Sequence, residues 1–253
     1  MKVAIITGSS SGLGKEFVEA VVDTKSEIEE IWLIARRKEL LQKIADNYYT
    51  KSFKIFPLDL TNQDDLNQFE ERIQEEHPDV KLLINNAGML DKAAFASQSP
   101  AKQKAMVELN AEAPTLITRM ILPFMTRGSS IINTCSVTSY TPVPKMDVYA
   151  ATKSYLYFLS IALREELKAQ GINVLALCPG NMRTELFLQS DNQNKKKSII
   201  DQLPFLDMKT MTRKSIRFAE MGHGVYTPGT FYKGYRVMAK LIPFEFFDKF
   251  AKV

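Results

Sequence analysis

Short apolar runs rich in β-branched residues alternate, through most of the chain, with longer stretches in which apolar residues recur at helical spacing. The short runs predict six strands, at 3–6, 31–35, 53–56, 82–84, 130–133 and 173–177. The longer stretches predict helices at 13–24, 38–48, 63–75, 100–125 and 148–170. Because helices alternate with strands that stay apolar along their length, the pattern predicts an α/β fold with a mostly parallel sheet covered on both faces.

The alternation is lost after Pro179. A short run at 222–226 predicts a seventh strand, and the aromatic-rich tail at 231–250 predicts a helix broken at Pro243. Since no shift in composition marks a linker, we expect one doubly wound domain over residues 1–253. Its expected parts are a core at 1–185, a substrate loop or lid at about 186–220, and a C-terminal strand and helix at about 221–253.

Two features of the segment after Pro179 have more than one interpretation. Residues 189–198 are polar and without period, and their lysine run 195–197 could be a phosphate or membrane patch or simply part of a solvated loop. The apolar residues on either side could line a lid over a cleft, or they could pack helices on the sheet. These residues are Met182, Leu186, Phe187, Leu188, Leu203, Phe205, Leu206, Met208 and Met211.

Composition narrows the class of partner. The 253 residues are 45% hydrophobic and 25% charged, with a net charge of +4, which suits an anionic small molecule and is too weak to indicate nucleic acid. The two cysteines, Cys135 and Cys178, imply no disulfide framework and a reducing compartment. No apolar run approaches the roughly 18–20 residues that cross a bilayer, and the N-terminus has no signal-peptide pattern, so we expect a cytoplasmic protein.

The first predicted strand leads directly into a turn rich in glycine and serine, which a helical pattern follows. Such a turn lets phosphates approach backbone N–H groups, and the N-terminus of the helix adds a positive dipole. The glycine spacing is GxxxGxG rather than the commoner GxGxxG. The residues predicted to meet a nucleotide cofactor here are Gly8, Ser10, Ser11, Gly12, Leu13 and Gly14.

The second predicted strand ends at Arg36 and Arg37. Proteins of this plan that bind NAD usually carry an acidic residue at this place, which accepts hydrogen bonds from the ribose. A guanidinium pair instead suits the 2′-phosphate of NADP, by charge and by its planar fork of donors. Two solvated arginines that open a helix are the alternative. We predict that NADP(H) is preferred over NAD(H).

Tyr149 and Lys153 stand four residues apart in the predicted helix 148–170, so one helix face carries both. A phenol with a pKa near ~10 is a poor acid–base group at neutral pH. A lysine charge about 4 Å away, at an effective dielectric of about 20, would favour the phenolate by up to roughly 4 kcal/mol. The pair is therefore expected to exchange a proton near pH 7, where general acid–base catalysis is most efficient.

With these motifs in place, the chain resembles the short-chain dehydrogenase/reductase family over about residues 1–185. Further motifs of the family follow in the family's order. They are Asp59-Leu60, Asn85-Asn86-Ala87-Gly88, Asn110 in ELNAEAP, Ser136 thirteen residues before Tyr149, Pro179-Gly180, and Thr184. The resemblance implies a Rossmann fold and hydride transfer between nicotinamide and a carbonyl or secondary alcohol, with no metal.

The resemblance also implies a role for each catalytic residue. Tyr149 would give or take the proton at the carbonyl oxygen, Lys153 would lower the tyrosine pKa and bind the nicotinamide ribose, and Ser136 would hydrogen-bond the substrate oxygen. Asn110 would hold a water that links Lys153 to solvent. Cofactor contacts are implied at Asp59, Leu60, Asn86, Ala87, Gly88, Tyr149, Lys153, Pro179, Gly180 and Thr184.

The chain departs from the family pattern at two positions, and several interpretations stay open. Ser11 stands where some NADP-preferring members have a basic residue, and Cys135 where many have a second serine. An apolar lid would favour a hydrophobic ketone or aldehyde, steroid-like or acyl, as the small-molecule substrate. A catalytically silent nucleotide-binding regulator or scaffold is one alternative, and a protein that touches a membrane surface is another. From the family we expect a homodimer or homotetramer through the helices 100–125 and 148–170.

Overall fold

Seven strands form one sheet in the computed structural model, which describes residues 1–185, 187 and 203–242. The strands are β1 Lys2–Thr7, β2 Glu30–Ile34, β3 Ser52–Phe56, β4 Asp79–Asn85, β5 Met125–Thr134, β6 Asn173–Leu177 and β7 Val225–Tyr226. Every pairing between them is parallel, in the order β3-β2-β1-β4-β5-β6-β7. The predicted parallel sheet is therefore confirmed, and β6 has the predicted bounds.

Helices cover both faces of this sheet. They are α1 Gly12–Thr24, α2 Lys38–Ala45, α3 Gln63–Glu76, α4 Pro100–Val107, α5 Ala113–Ile121, α6 Asp147–Leu167, α7 Met208–Glu220 and α8 Thr230–Leu241. Successive strand residues point to opposite faces. Accordingly Ile6 shares one core cluster with Phe17 of α1, whereas its neighbour Ile5 shares another with Phe69 of α3. The doubly wound architecture is thus confirmed.

The strand order places a crevice at one edge of the sheet. β1 to β3 lie in turn on one side, and β4 to β7 lie in turn on the other, so the direction of winding reverses between β1 and β4. In open parallel sheets, ligands bind outside the carboxyl ends of the strands at such a reversal. The predicted site residues follow these carboxyl ends, at Thr7, Asn85, Thr134 and Leu177.

The prediction of a single helix over 100–125 is wrong. α4 ends at Val107, Glu108–Glu112 form one turn of π-helix, and α5 ends at Ile121 before a 3₁₀ turn at Leu122–Phe124. A turn of π-helix is wider than an α-turn, and such turns are frequent at functional sites. Asn110 lies in the middle of this turn.

The C-terminal elements are shorter than predicted. β7 has two residues, because Gly222, with a φ of 73°, turns the chain after α7 and delays the strand. α8 ends at Leu241, and the rest of the predicted tail helix lies outside the described residues, as do the lysine run 195–197, Leu186 and Leu188. Within the described ranges, no helix is long and apolar enough to cross a membrane.

Candidate active site

A buried hydroxyl joins the ends of β1 and β4. Thr7 Oγ1 accepts hydrogen bonds from the backbone N–H groups of Asn86 at 2.9 Å and of Ala87 at 3.0 Å. The side-chain amide of Asn86 donates to the Thr7 carbonyl at 3.2 Å. Since Thr7 is buried, these bonds are shielded from competing water. They hold the segment that ends in Gly88 beside the glycine turn.

The glycine turn has no room for side chains at two of its positions. Gly8 has a φ of 66°, and a Cβ there would lie 2.8 Å from Ala87 Cα. A Cβ on Gly14 would lie 2.1 Å from the Gly8 carbonyl oxygen. The N-cap of α1, Ser11, makes no capping hydrogen bond with its side chain. The first N–H groups of α1 therefore suit a negatively charged group such as a phosphate.

Arg37 crosses over this turn. Its Nη2 donates to Ser10 Oγ at 3.2 Å and to Ser11 Oγ at 2.9 Å. The same nitrogen lies 3.1 Å from Glu185 Oε2, in the chain just after Thr184. One guanidinium thus links the end of β2, the glycine turn and the segment that follows β6.

Arg36 faces a second carboxylate. Its Nη1 lies 3.8 Å from Asp59 Oδ2, and the arginine side chain is 75% exposed. Asp59 Oδ1 accepts hydrogen bonds from the N–H and the hydroxyl of Thr61. Burial disfavours the charged form of Asp59, but the bonds from Thr61 and the nearby Arg36 outweigh burial and lower the pKa of this carboxyl. Both arginines therefore have an acidic neighbour, and a phosphate bound here would compete with that carboxylate for the guanidinium group.

Asn110 and Lys153 meet beside Gly88. Asn110 Oδ1 accepts from the Met89 N–H at 2.8 Å, and its Nδ2 donates to the Met89 carbonyl at 2.9 Å and to Thr152 Oγ1 at 3.2 Å. A Cβ on Gly88 would lie 3.1 Å from Asn110 Oδ1 and 3.3 Å from Lys153 Nζ. The Met89 backbone therefore fixes the Asn110 amide with its oxygen facing the same space as the lysine head group.

Ser136 is the N-cap of a short 3₁₀ turn that follows β5. Its Oγ accepts from the Thr138 N–H at 3.2 Å, and its own N–H donates to Ser139 Oγ at 3.3 Å. Ser139 Oγ in turn donates to the Lys153 carbonyl at 2.9 Å, so this turn is bonded directly to α6. The position of the Ser136 hydroxyl is thereby set by backbone groups on both sides.

Tyr149 and Lys153 lie on the same side of α6, as expected, but the lysine is bonded elsewhere. Lys153 Nζ donates to the Thr134 carbonyl at 2.8 Å and lies 5.9 Å from the centre of the Tyr149 ring. Lys153 is only 4% exposed. Tyr149 is half-buried and packs against the apolar residues Val143 and Met146.

Burial dominates the proton equilibria of this pair. It raises the pKa of Tyr149 to about 12, although a hydrogen bond with Ser136 acts in the opposite direction. It also lowers the pKa of Lys153 to about 8, because the charged amine is the costlier form to bury. The expected lowering of the tyrosine pKa is therefore wrong for this structure: Lys153 Nζ is engaged by the Thr134 carbonyl, and burial of the phenol raises the pKa of Tyr149. Tyr149 holds its proton firmly at neutral pH.

The chain after β6 returns to the glycine turn. The Pro179 carbonyl accepts from the Val137 N–H at 3.0 Å, next to Ser136. Further on, the Thr184 methyl carbon lies so close to Gly12 that a Cβ on the glycine would be 3.3 Å from it. Pro179 and Thr184 thus border opposite ends of the crevice, one near the predicted catalytic residues and the other near the glycine turn.

Two predicted cofactor residues can contribute only backbone groups. The side chains of Leu13 and Leu60 are buried in the two core clusters, on opposite faces of the sheet. Sequence reasoning also missed two residues, Thr7 and Glu185. Thr7 stands directly before Gly8, a position that could have signalled its role, whereas the partner of Glu185 depends on the folded chain.

Comparisons with known proteins agree with this geometry. A family model described as short chain dehydrogenase matches residues 2–195 of the chain. An uncharacterized oxidoreductase from Staphylococcus saprophyticus subsp. saprophyticus is 30% identical over 202 residues, which cover 78% of this chain and 81% of that protein.

Two solved structures are similar over nearly the whole chain. A short-chain dehydrogenase from Sphingobium yanoikuyae in complex with NADPH has a TM-score of 0.78 and 27% identity, covering 91% of this chain and 89% of that one. The bulky-bulky ketone specific alcohol dehydrogenase from Comamonas testosteroni has a TM-score of 0.76 and 26% identity, covering 95% and 92%.

Proposed function

The chain belongs to the short chain dehydrogenase family and is an oxidoreductase, and we propose that it transfers a hydride between NADP(H) and a carbonyl or secondary alcohol. The observation that carries the proposal is the meeting of Asn110, Ser136, Tyr149 and Lys153 at one end of the crevice that begins at the glycine turn. The bound nicotinamide would supply or accept the hydride.

Tyr149 acts as the acid in the reducing direction. With a pKa of about 12 it is protonated at neutral pH, and it would donate the phenolic proton to a carbonyl oxygen during reduction. Ser136 donates a hydrogen bond to the same oxygen and stabilises the negative charge that develops there. In the oxidising direction the phenolate form of Tyr149 would accept the proton of the alcohol. The raised pKa makes this phenolate a stronger base, but it also makes the phenolate rarer at neutral pH.

Lys153 and Asn110 restore the proton. A Cβ on Gly88 would lie 3.1 Å from Asn110 Oδ1 and 3.3 Å from Lys153 Nζ, so both polar groups face the same small space beside this glycine. Lys153, whose pKa burial lowers to about 8, can lose and regain a proton near neutral pH. These two residues would therefore connect the site to solvent.

NADP(H) rather than NAD(H) is the proposed cofactor. Arg36 and Arg37 stand together at the end of β2, and Arg37 Nη2 already bonds both serines of the glycine turn. A 2′-phosphate there would meet two guanidinium groups, which bind phosphate by charge and by paired hydrogen bonds. The similar Sphingobium structure is a complex with NADPH.

A bulky hydrophobic ketone or aldehyde is the proposed substrate class. Tyr149 packs with Leu90, Val143 and Met146, so the surroundings of the phenol are apolar. Of the apolar residues after Pro179, Phe187 and Phe205 stack edge to face at 5.3 Å, whereas Met182, Leu206, Met208 and Met211 pack on the sheet core. The packing interpretation therefore applies to the four residues on the core, and we propose that Phe187 and Phe205 line the substrate cleft. The similar Comamonas enzyme is specific for bulky-bulky ketones.

The expected dimer or tetramer stays a prediction. α6 carries two exposed aromatic residues, Tyr155 and Phe158, and it includes most of one of the two helices through which we expect assembly. The cytoplasmic location and the division into a core, a substrate segment and a C-terminal part are likewise predictions.

A panel of ketones and aldehydes tests the proposed function. Bulky hydrophobic ketones should be reduced with NADPH, and Tyr149→Phe, which removes only the phenolic oxygen, should lose more than about 100-fold in kcat because the proton donor is gone. NADPH affinity, measured by fluorescence titration, should change little. Turnover by Tyr149→Phe close to that of the unaltered protein would overturn the mechanism, and NADPH binding with no turnover across the panel would favour the silent regulator.

A further inference from the structure

The ring of Tyr232, in the first turn of α8, lies on Gly180. A Cβ on Gly180 would stand 2.0 Å from Tyr232 Cζ and 2.3 Å from two further ring atoms. The ring can therefore lie here only because residue 180 has no side chain. Tyr232 is 1% exposed. A buried ring against a glycine in the loop after β6 fixes how far that loop can move toward the C-terminal helix.

The hydroxyl of Tyr232 ties together two stretches of chain. The Asn181 N–H donates to Tyr232 Oη at 3.1 Å, and the tyrosine O–H donates to the Pro204 carbonyl at 2.7 Å. The Asn181 carbonyl also accepts from the Leu206 N–H at 2.9 Å. The loop after β6 and the chain before α7 are therefore joined through one buried phenol.

The start of α8 is shaped to bring this phenol into place. The N-cap of α8 is Gly229, with a φ of 82°, a conformation that side-chain-bearing residues rarely adopt. A Cβ there would lie 3.1 Å from Leu206 Cδ2 and 3.2 Å from Tyr232 Cδ2. The helix can thus approach the loop closely only because this position lacks a side chain.

We infer that Tyr232 is a positioning residue, which holds the Pro179–Thr184 loop in the conformation that receives the nicotinamide half of the cofactor. The family model ends at residue 195, so Tyr232 lies beyond the part of the chain that it matches. The inference rests on the proposed function, because it takes this loop as part of the cofactor site. Without the contacts of Tyr232 the loop would spend part of its time in other conformations. The apparent affinity for the cofactor would then fall in proportion to the fraction of molecules whose loop is in the binding conformation.

Tyr232→Phe tests the inference, with Tyr235→Phe as the matched control. Tyr235 is on the same helix, and its hydroxyl is hydrogen-bonded to Thr141 instead of to the loop. Two lost hydrogen bonds should raise the NADPH dissociation constant of Tyr232→Phe by about tenfold, whereas Tyr235→Phe should stay within about twofold of the unaltered protein. The KM for NADPH should rise with the dissociation constant, and kcat at saturating NADPH should fall less than threefold. Melting temperatures of both variants are measured alongside.

A structural role alone gives a different result. If α8 acted only by stabilising the fold, both variants would lose melting temperature and neither would change NADPH binding, or both would weaken it equally; either result overturns the inference. Failure of the unaltered protein to bind NADPH or NADH would instead overturn the proposed function.

Amide hydrogen exchange tests the inference on the unaltered protein, without a variant or a cofactor. The Asn181 N–H should be protected from exchange in the unaltered protein, because its acceptor is a buried phenol. Exchange of this amide at the rate of an unstructured chain would overturn the inference even if Tyr232→Phe did not fold.

Discussion

The two ends of the crevice are held by different kinds of contact. At the phosphate end, Arg36 and Arg37 are exposed, and side-chain groups hold them: two serines and two carboxylates. At the carbonyl end, Asn110, Ser136 and Lys153 are buried and each bonds to the backbone. Exposed charge pairs are weak and exchangeable, whereas buried polar groups are costly to displace. Substitutions at the phosphate end should therefore alter cofactor choice in small steps. Substitutions at the carbonyl end should instead cause large losses.

A large effect, second only to that of Tyr149→Phe, is expected from one methyl group at the carbonyl end. Gly88→Ala would place a carbon 3.1 Å from Asn110 Oδ1 and 3.3 Å from Lys153 Nζ, so it would crowd both groups. We expect kcat to fall on the order of 100-fold, since small misplacements of catalytic groups have effects of this size. Steady-state kinetics on the best ketone of the panel measures it.

Gly234→Ala is the matched control for that change. Gly234 lies in α8, and a Cβ there would have nothing within 4 Å. It should leave kcat unchanged. Equal kcat for Gly88→Ala and the unaltered protein would show that the space between Asn110 and Lys153 has no part in turnover.

Smaller effects, of opposite sign, are expected from two changes at the phosphate end. Arg37→Gln should weaken NADPH binding by about tenfold, the worth of a charge-assisted hydrogen bond, and leave NADH binding unaffected. Glu185→Gln removes the carboxylate 3.1 Å from Arg37 Nη2 and should tighten NADPH binding by about threefold. Calorimetric titration with both cofactors measures these affinities. Weaker NADPH binding in both variants, or equal losses for NADH, would contradict the assignment of Arg37 to the 2′-phosphate.

The smallest effect concerns stability rather than turnover. Burial lowers the pKa of Lys153 to about 8, so the unfolded chain, in which a lysine titrates near ~10.4, binds more protons between these values. Stability from this group therefore rises with pH in that window. The free energy of unfolding of the unaltered protein, minus that of Lys153→Met, should grow by about 1 kcal/mol from pH 8 to pH 9 in urea titrations. A difference that stays flat from pH 7 to pH 10 would show that folding does not lower the pKa of this amine.

The strands, the glycine turn and the arginine pair were predictable because each depends on residues close together in sequence. Apolar runs predicted six strands within a few residues, and the run at 173–177 gave the bounds of β6. The candidate catalytic set came from the family resemblance, and its catalytic roles stay a prediction. These local patterns therefore predict the order of the secondary-structure elements and motifs along the chain.

The rest depends on contacts between distant parts of the chain. The π-helical turn carries Asn110, which bonds to Met89 in a distant part of the chain, and no helical periodicity reveals it. The sign of the pKa shift of Tyr149 depends on how much water the fold excludes. The pairing of Gly180 with Tyr232 joins residues from two separate elements, and neither residue marks the contact locally.

The π-helical turn at Glu108–Glu112 also changes which way the following helix faces. An α-helix advances about 100° per residue, so one additional residue in a turn rotates everything after it by about that angle. A helical wheel drawn through 100–125 as one helix consequently assigns α5 the wrong faces. The rotation that brings Asn110 to Met89 also sets the direction of Thr115, whose hydroxyl lies 3.2 Å from that of Tyr155 on α6. The same rotation therefore affects both the position of Asn110 in the candidate active site and the surface that α5 and α6 present.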